Sequence, residues 1–278
     1  YFGFGFTPDL LAAAKRLRWV HSAAAGVGNV LNSGIGSTDI LVTNSAGVHG
    51  APIAEFVVAG VLHFLRGLDV AIAQQQRGEW SKAFFVALDA PLRELSECRV
   101  LIVGTGGLGG GTARRLSALG ATCVGVRRRP ELGTPEGFAR VVGTSALDDE
   151  LPGADVLVLA APLTADTTEL MTRARLERLS GTAIVVNVAR GALLDETALA
   201  DLLRQGRIRG AVLDVFRQEP LPATSPLWHL PNALVVPHVS PVSPRRFWPR
   251  QLDLFLDNWR RYVHGEPLRN LVDKQAGY

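Results

Sequence analysis

The sequence predicts an α/β protein built on doubly wound parallel sheets. Three observations carry that expectation. Short apolar runs alternate with helical patterns almost throughout the 278 residues, which is the rhythm of βα units. From residue 99 onward each run is apolar without a break, as a strand covered on both faces must be. One of these runs leads into a Gly-rich turn that opens a helix.

The elements follow in order. Tyr1-Phe2-Gly3-Phe4-Gly5-Phe6 reads as the end of a buried strand, so part of a first domain is expected to precede it. Arg18–Ser22 and Ile40–Asn44 are the next strands. A helix is expected from about Pro52 to Gln76, with its proline near the first turn. Apolar residues cover several of its faces, which suits a domain or subunit interface better than open surface. Residues 78–96 are irregular, and Trp80, Phe84 and Phe85 suggest an arm that crosses to a partner subunit. Strands are then expected at Arg99–Gly104, Ala121–Val126, Asp155–Ala160, Thr182–Ala189, Gly210–Phe216 and Ala233–His238. A last helix runs from Phe247 to Val263. The expected organisation is a domain at 91–242 inserted in a smaller one built from 1–90 and 243–278, both Rossmann-like or flavodoxin-like.

Composition narrows the partners. Apolar residues make up 47% and charged residues 20%, as in ordinary globular chains. The net charge of +3 is spread along the chain apart from Arg127-Arg128-Arg129, so no nucleic-acid partner is expected. No uninterrupted apolar run approaches the roughly 20 residues of a membrane span, so no membrane partner is expected either. Cys98 and Cys123 sit in or beside apolar runs without metal-ligand spacing, which points to reduced thiols, no metal and a cytoplasmic protein.

The Gly-rich turn is Gly104-Thr105-Gly106-Gly107-Leu108-Gly109, directly after the strand Arg99–Val103. In such a turn the first glycine allows the tight bend and the second lets backbone approach a pyrophosphate. The third lets helix and strand pack closely, and the helix N-terminus supplies amides and a partial positive charge. Dinucleotide binding at 91–242 follows. An NAD-preferring site usually carries an acid at the end of the next strand. Arg127, Arg128 and Arg129 stand there instead, and guanidinium groups suit a 2′-phosphate, so NADP (as NADPH) is favoured over NAD.

Three further segments fall at the C-terminal ends of later strands. They are Asn187–Gly191, Asp214–Pro222 and Val236–His238. Reducing a 2-keto acid requires a cation to grip the carboxylate and polarise the ketone. It also requires an acid to protonate the developing alkoxide. Arg190 suits the first role. His238 suits the second, with Glu219 as the carboxylate that favours its protonated form.

On these motifs, with Ala161-Pro162-Leu163-Thr164 in support, the chain resembles the D-isomer-specific 2-hydroxyacid dehydrogenase family from about Gly3 to its end. The ending from Gly265-Glu266-Pro267-Leu268 to Tyr278 is similar to the glyoxylate/hydroxypyruvate reductase A branch. The resemblance implies that Arg190 binds substrate and that Glu219 and His238 are the acid/base pair. It also implies cofactor contacts from Pro162, Thr164, Val188, Ala189, Asp214, His238 and Ser240. Ala25, Gly26 and Val27 would meet the substrate carboxylate through their amides. The implied substrate is a small 2-keto or 2-hydroxy acid, with a family dehydrogenase for a bulkier keto acid as the alternative, and the implied assembly a homodimer. Asn29, where many relatives carry Asp, and Ser240-Pro241 depart from the family pattern. Arg245, Arg246 and Trp248 lie close enough in sequence to His238 to reach a substrate. C-terminal-binding-protein corepressors resemble the same family, but an intact Arg/Glu/His set favours an enzyme over a binding module.

Overall fold

The computed structural model describes residues 1–277, so Tyr278 at the end of the compared C-terminal segment lies outside the described residues. It divides into two compact units, 1–52 with 241 onward, and 53–240.

In the smaller unit β1 (Phe2–Gly3), β2 (Trp19–Ser22) and β3 (Leu41–Thr43) form a parallel sheet in that order. The run at Phe2 is therefore a strand, paired in parallel with His21 and Ser22. Against the sheet lies the helix Phe247–His264, whose Phe255 and Tyr262 rings each stack on Trp19 at 5.5 Å. Polar groups inside this unit find one another. His21 is fully buried, with Nδ1 2.7 Å from the Thr43 hydroxyl and Nε2 3.3 Å from that of Ser45. Ser45 donates to Gln251 Oε1 at 2.6 Å, and Gln251 Nε2 donates to the Ala23 carbonyl.

The larger unit holds β4 (Arg99–Val103), β5 (Thr122–Arg127), β6 (Arg140–Gly143), β7 (Val156–Leu159), β8 (Ile184–Asn187), β9 (Gly210–Leu213) and β10 (Ala233–Val235). All neighbours pair in parallel, in the order β10-β9-β8-β7-β4-β5-β6. β4 and β7 are adjacent, so the direction of winding reverses between them, which is where doubly wound sheets bind ligands. Apolar clusters cover both faces, around Leu101, Leu157 and Val185 on one and Val100, Ile102 and Val186 on the other. β6 is a strand the hydrophobic pattern does not announce, because it is a half-exposed edge of only four residues.

Residues 53–90 group with the larger unit, not the smaller one expected from sequence. Packing explains the difference. The helix Gly50–Leu65 lies so close to β9 that a Cβ on Gly60 would sit 2.7 Å from Val212, and one on Gly210 would sit 2.7 Å from Phe64. Arg209, at the start of β9, holds Asp69 through two hydrogen bonds of 2.7 and 2.8 Å.

The expected single helix 52–76 is also two, Gly50–Leu65 and Leu68–Arg77, bent by 67°. Gly67 at the break is left-handed (φ 66°), and Phe84, Phe85 and Leu92 fill the corner. Phe84 and Phe85 thus pack within their own chain. Trp80, Val86 and Leu88 remain exposed. No single helix among the described residues is long and apolar enough to cross a membrane.

Burial of His21 pushes its pKa from 6.5 to about 4. Its contribution to stability is complete above the unfolded value and is lost as pH falls toward 4, because only the unfolded ring accepts the proton readily. Denaturant unfolding at pH 7 and pH 4 is expected to show a steeper acid loss for the wild type than for His21→Gln, by about 2–3 kcal/mol. Equal slopes would show that the ring is not held neutral.

Candidate active site

The loops after β4, β5, β7, β8, β9 and β10 all leave the same edge of the larger sheet, because every strand runs the same way. At β4 the turn needs its glycines for separate reasons. Gly104 is left-handed (φ 101°), and a Cβ there would lie 2.6 Å from the Ala160 carbonyl oxygen. A Cβ on Gly109 would lie 1.8 Å from the Gly104 carbonyl oxygen. A Cβ on Gly106 would meet nothing within 4 Å, so the backbone there faces open space. Gly106 begins the helix Gly107–Ala118 without a side-chain cap. Gly107 and Leu108 form its first turn, and amides left uncapped at a helix start attract anions. These features fit the diphosphate of a dinucleotide.

Arg127 at the end of β5 reaches back to this turn. Its Nη1 lies 3.4 Å from the Thr105 hydroxyl, Nη2 donates to the Gly133 carbonyl, and Nε is buried without a hydrogen-bond partner among the described residues. Arg128 and Arg129 are exposed. The three arginines are therefore not equivalent, as a run of identical letters suggests.

Asn187 at the end of β8 shapes the next loop. Its Nδ2 donates to the Arg190 carbonyl at 2.9 Å, and its Oδ1 accepts from the Ala189 amide at 3.2 Å. A Cβ on Gly191 would fall 1.9 Å from the Phe216 carbonyl carbon, so the loops after β8 and β9 touch backbone to backbone. Arg190 is thereby fixed beside the loop that carries Glu219. Its guanidinium is exposed and donates to the Ala189 carbonyl at 2.6 Å.

Glu219 Oε1 accepts from the Phe216 amide at 2.9 Å, and Oε2 lies 2.8 Å from His238 Nδ1. Partial burial works to raise the pKa of this carboxyl. The bonds from His238 and Phe216 and the charge of Arg190 outweigh that and hold it below its usual value. Glu219 therefore stays anionic. With Nδ1 engaged, His238 presents Nε2, which has no hydrogen-bond partner among the described residues. Arg190, Glu219 and His238, expected together from sequence, do meet at one edge.

His238 is left-handed (φ 55°), a conformation that costs a non-glycine residue about 1–2 kcal/mol. Asp214 holds it there. The Asp214 carbonyl accepts the His238 amide at 2.9 Å. Its carboxylate accepts the amides of Val239 (2.7 Å) and Ser240 (3.1 Å) and the Ser240 hydroxyl. Sequence places Asp214 and Ser240 among cofactor contacts. In the structure Asp214 is fully buried and these two side chains are spent on each other, so their work is to position the loop.

Of the remaining expected residues, Pro162 and Thr164 follow β7 in a loop tied by the Thr167 hydroxyl. Val188 and Ala189 follow β8 and are buried. Ala25, Gly26 and Val27 lie in the smaller unit, after β2, where Asn44 Nδ2 donates to the Ala25 carbonyl at 2.9 Å.

Residues 58–240 match the family described as D-isomer specific 2-hydroxyacid dehydrogenase, NAD binding domain. The chain belongs to this family. It is 31% identical over 279 residues to glyoxylate/hydroxypyruvate reductase A of Klebsiella pneumoniae, covering 98% of this chain and 85% of that one. It is 32% identical over 239 residues to D-3-phosphoglycerate dehydrogenase of Methanocaldococcus jannaschii, covering 85% of this chain but only 44% of that one. The fold matches a solved structure of an NADPH-dependent glyoxylate/hydroxypyruvate reductase from Sinorhizobium meliloti in complex with NADP and sulfate. The TM-score is 0.86 at 31% identity, over 100% of this chain and 85% of that one.

Asp214→Ala removes the acceptor that the amides of Val239 and Ser240 and the Ser240 hydroxyl share. The expected result is a loss of about 1–3 kcal/mol in unfolding free energy. An unchanged denaturation midpoint would mean that the 238–240 loop holds itself.

Proposed function

We propose that this dehydrogenase reduces a 2-keto acid to the D-2-hydroxy acid at the expense of NADPH, within the glyoxylate/hydroxypyruvate range of substrates. The observation that carries the reading is the Glu219–His238 pair beside Arg190, on the sheet edge that also bears the glycine turn. The relatives named reductases and the NADP complex of the Sinorhizobium protein support it. The amides at Gly106–Gly109 would hold the diphosphate, with Pro162, Thr164, Val188 and Ala189 toward the nicotinamide. Arg128 and Arg129, with Arg127 behind them, suit the 2′-phosphate.

A bound reduced nicotinamide supplies hydride to the carbonyl carbon. The chain does the rest. Arg190 pairs with the carboxylate and polarises the ketone. His238 gives the proton on Nε2 to the oxygen as negative charge develops there. Glu219, kept ionised, holds the Nδ1 side and stabilises the ring through both protonation states. We also read the exposed Trp80, Val86 and Leu88 as part of a homodimer contact, since large apolar side chains this exposed and this close in sequence are candidates for an interface.

Oxidation of NADPH and of NADH at 340 nm, with glyoxylate and hydroxypyruvate, tests the reaction and the cofactor together. Turnover with a clear NADPH preference is expected, and Arg128→Glu should erase most of that preference. His238→Gln should cost at least about 100-fold in kcat with cofactor affinity little changed. Near-normal turnover in that variant would remove the acid/base assignment. Light scattering should return twice the chain mass; a stable monomer at micromolar concentration would refute the dimer.

A further inference from the structure

We infer that Arg217 and Glu169 are positioning residues for the acid/base pair, their ion pair fixing the loop that carries Glu219 to the loop after β7. This rests on the reading above that Glu219 and His238 handle the proton.

The loop after β9 cannot be held by packing. Phe216 is buried, but residues 217–220 are all exposed, so no apolar side chain among them anchors Glu219. A stretch with few buried contacts opens easily unless polar contacts tie it down. Arg217 makes two of these. Its amide donates to Glu196 Oε2 at 3.1 Å, and its Nη1 donates to Glu169 Oε1 at 2.6 Å. The backbone is thus tied to the start of the helix Glu196–Arg204, and the side chain to the loop after β7. The amide just before it, that of Phe216, is the one that Glu219 Oε1 accepts. Any shift of residue 217 therefore moves the donor that sets the Glu219 carboxylate.

Glu169 is itself held in place. It is left-handed (φ 50°), a conformation that a non-glycine residue keeps only where its surroundings impose it. A short backbone ladder imposes it here. The Glu169 amide donates to the Ala192 carbonyl at 2.7 Å. The Met171 amide donates to the Leu193 carbonyl, and the Asp195 amide to the Met171 carbonyl, each at 2.9 Å. This ladder joins the loop after β7 to the segment that follows Arg190. The Glu169 side chain then continues to Arg217, so three loops of the edge meet in one place. The loop after β7 also bears Pro162 and Thr164, on the proposed nicotinamide side, tied by the Thr167 hydroxyl. The pair thereby sets the acid/base group against the cofactor side. Its side chains are 54% and 48% exposed, and ion pairs so exposed contribute little to stability. Removing it leaves the core intact, and the loss falls on geometry.

The test measures kcat, KM and the pH profile of glyoxylate and hydroxypyruvate reduction with NADPH in Arg217→Ala, Glu169→Ala, the double variant and Arg217→Lys. Each alanine variant should lower kcat about tenfold with the KM for NADPH little changed, as a loss of orientation does. The double variant should be no worse than either single one, because the two residues act as a unit. Arg217→Lys should retain most of the rate. Against the effect of partial burial, the bonds from His238 and Phe216 hold the Glu219 carboxyl below its usual value. Loosening them lets it take a proton at higher pH. The acid limb of the kcat/KM profile should therefore move up by about one unit in Arg217→Ala, the scale of one lost hydrogen bond. An unmoved acid limb, or losses that add in the double variant, overturns the positioning role and leaves the reductase reading standing. If the wild type turns over no keto acid, the reductase reading fails by itself. Carboxyl-carbon NMR titration of Glu219 in NADP-loaded protein then decides the pair. A raised midpoint in both alanine variants upholds it, and an unchanged one overturns it.

Discussion

The catalytic edge depends on one buried carboxylate. Removing an anion from water costs several kcal/mol unless donors replace the lost hydration. Asp214 sits at 0% exposure and, among the described residues, finds those donors in the amides of Val239 and Ser240 and the Ser240 hydroxyl. The loop that satisfies the charge is the loop that follows His238. Any other path for it would leave the carboxylate unpaired, so the same energy that makes the burial tolerable fixes the backbone. A histidine can then be held at φ 55° although its intrinsic preference opposes it. On the other side of the site a steric constraint does equivalent work. Gly191 has no room for a side chain against Phe216, and that contact keeps Arg190 near Glu219.

These local devices act together because the sheet is parallel. Each of the seven strands delivers its C-terminal loop to the same edge, and the winding reverses beside β4. The glycine turn and the Arg/Glu/His group therefore share an edge without any residue evolving to bridge them. Electrostatics follow the same division. The turn offers amides and a helix terminus to phosphate, while Glu219 is kept ionised by His238, Phe216 and Arg190 against the opposing effect of its partial burial.

Much of this was legible from the chain. Continuous apolar runs identify the central strands because burial on both faces leaves no polar positions. The glycine turn was legible because a strand precedes it and a helix follows. Arg190, Glu219 and His238 were legible by their chemical types at successive strand ends. What escaped has a common cause, namely that it depends on partners distant in sequence. Hydropathy cannot show that Gly67 turns left-handed around Phe84, Phe85 and Leu92. Nor can it show that Gly60 and Arg209 draw residues 53–77 onto β9. β6 is too short and too exposed to stand out from a loop. Asp214 reads equally well as a ligand contact or as a loop anchor until its neighbours are known.

The arginine run shows why type and spacing alone do not assign a role. Three identical residues suggest three equivalent phosphate contacts. Arg127 instead spends two nitrogens on Thr105 and Gly133, with its third nitrogen buried and without a hydrogen-bond partner among the described residues. A guanidinium in that setting is costly unless it does structural work, and its two bonds join the glycine turn to the loop after β5. On the proposed reading Arg127 therefore sets the distance between the diphosphate cradle and the ribose side, while the exposed Arg128 and Arg129 meet the 2′-phosphate. On that same proposed reading, affinity for the extra phosphate would depend on the two exposed charges, and the geometry of the cradle on the half-buried Arg127. The two properties can vary separately, although a single tripeptide encodes them.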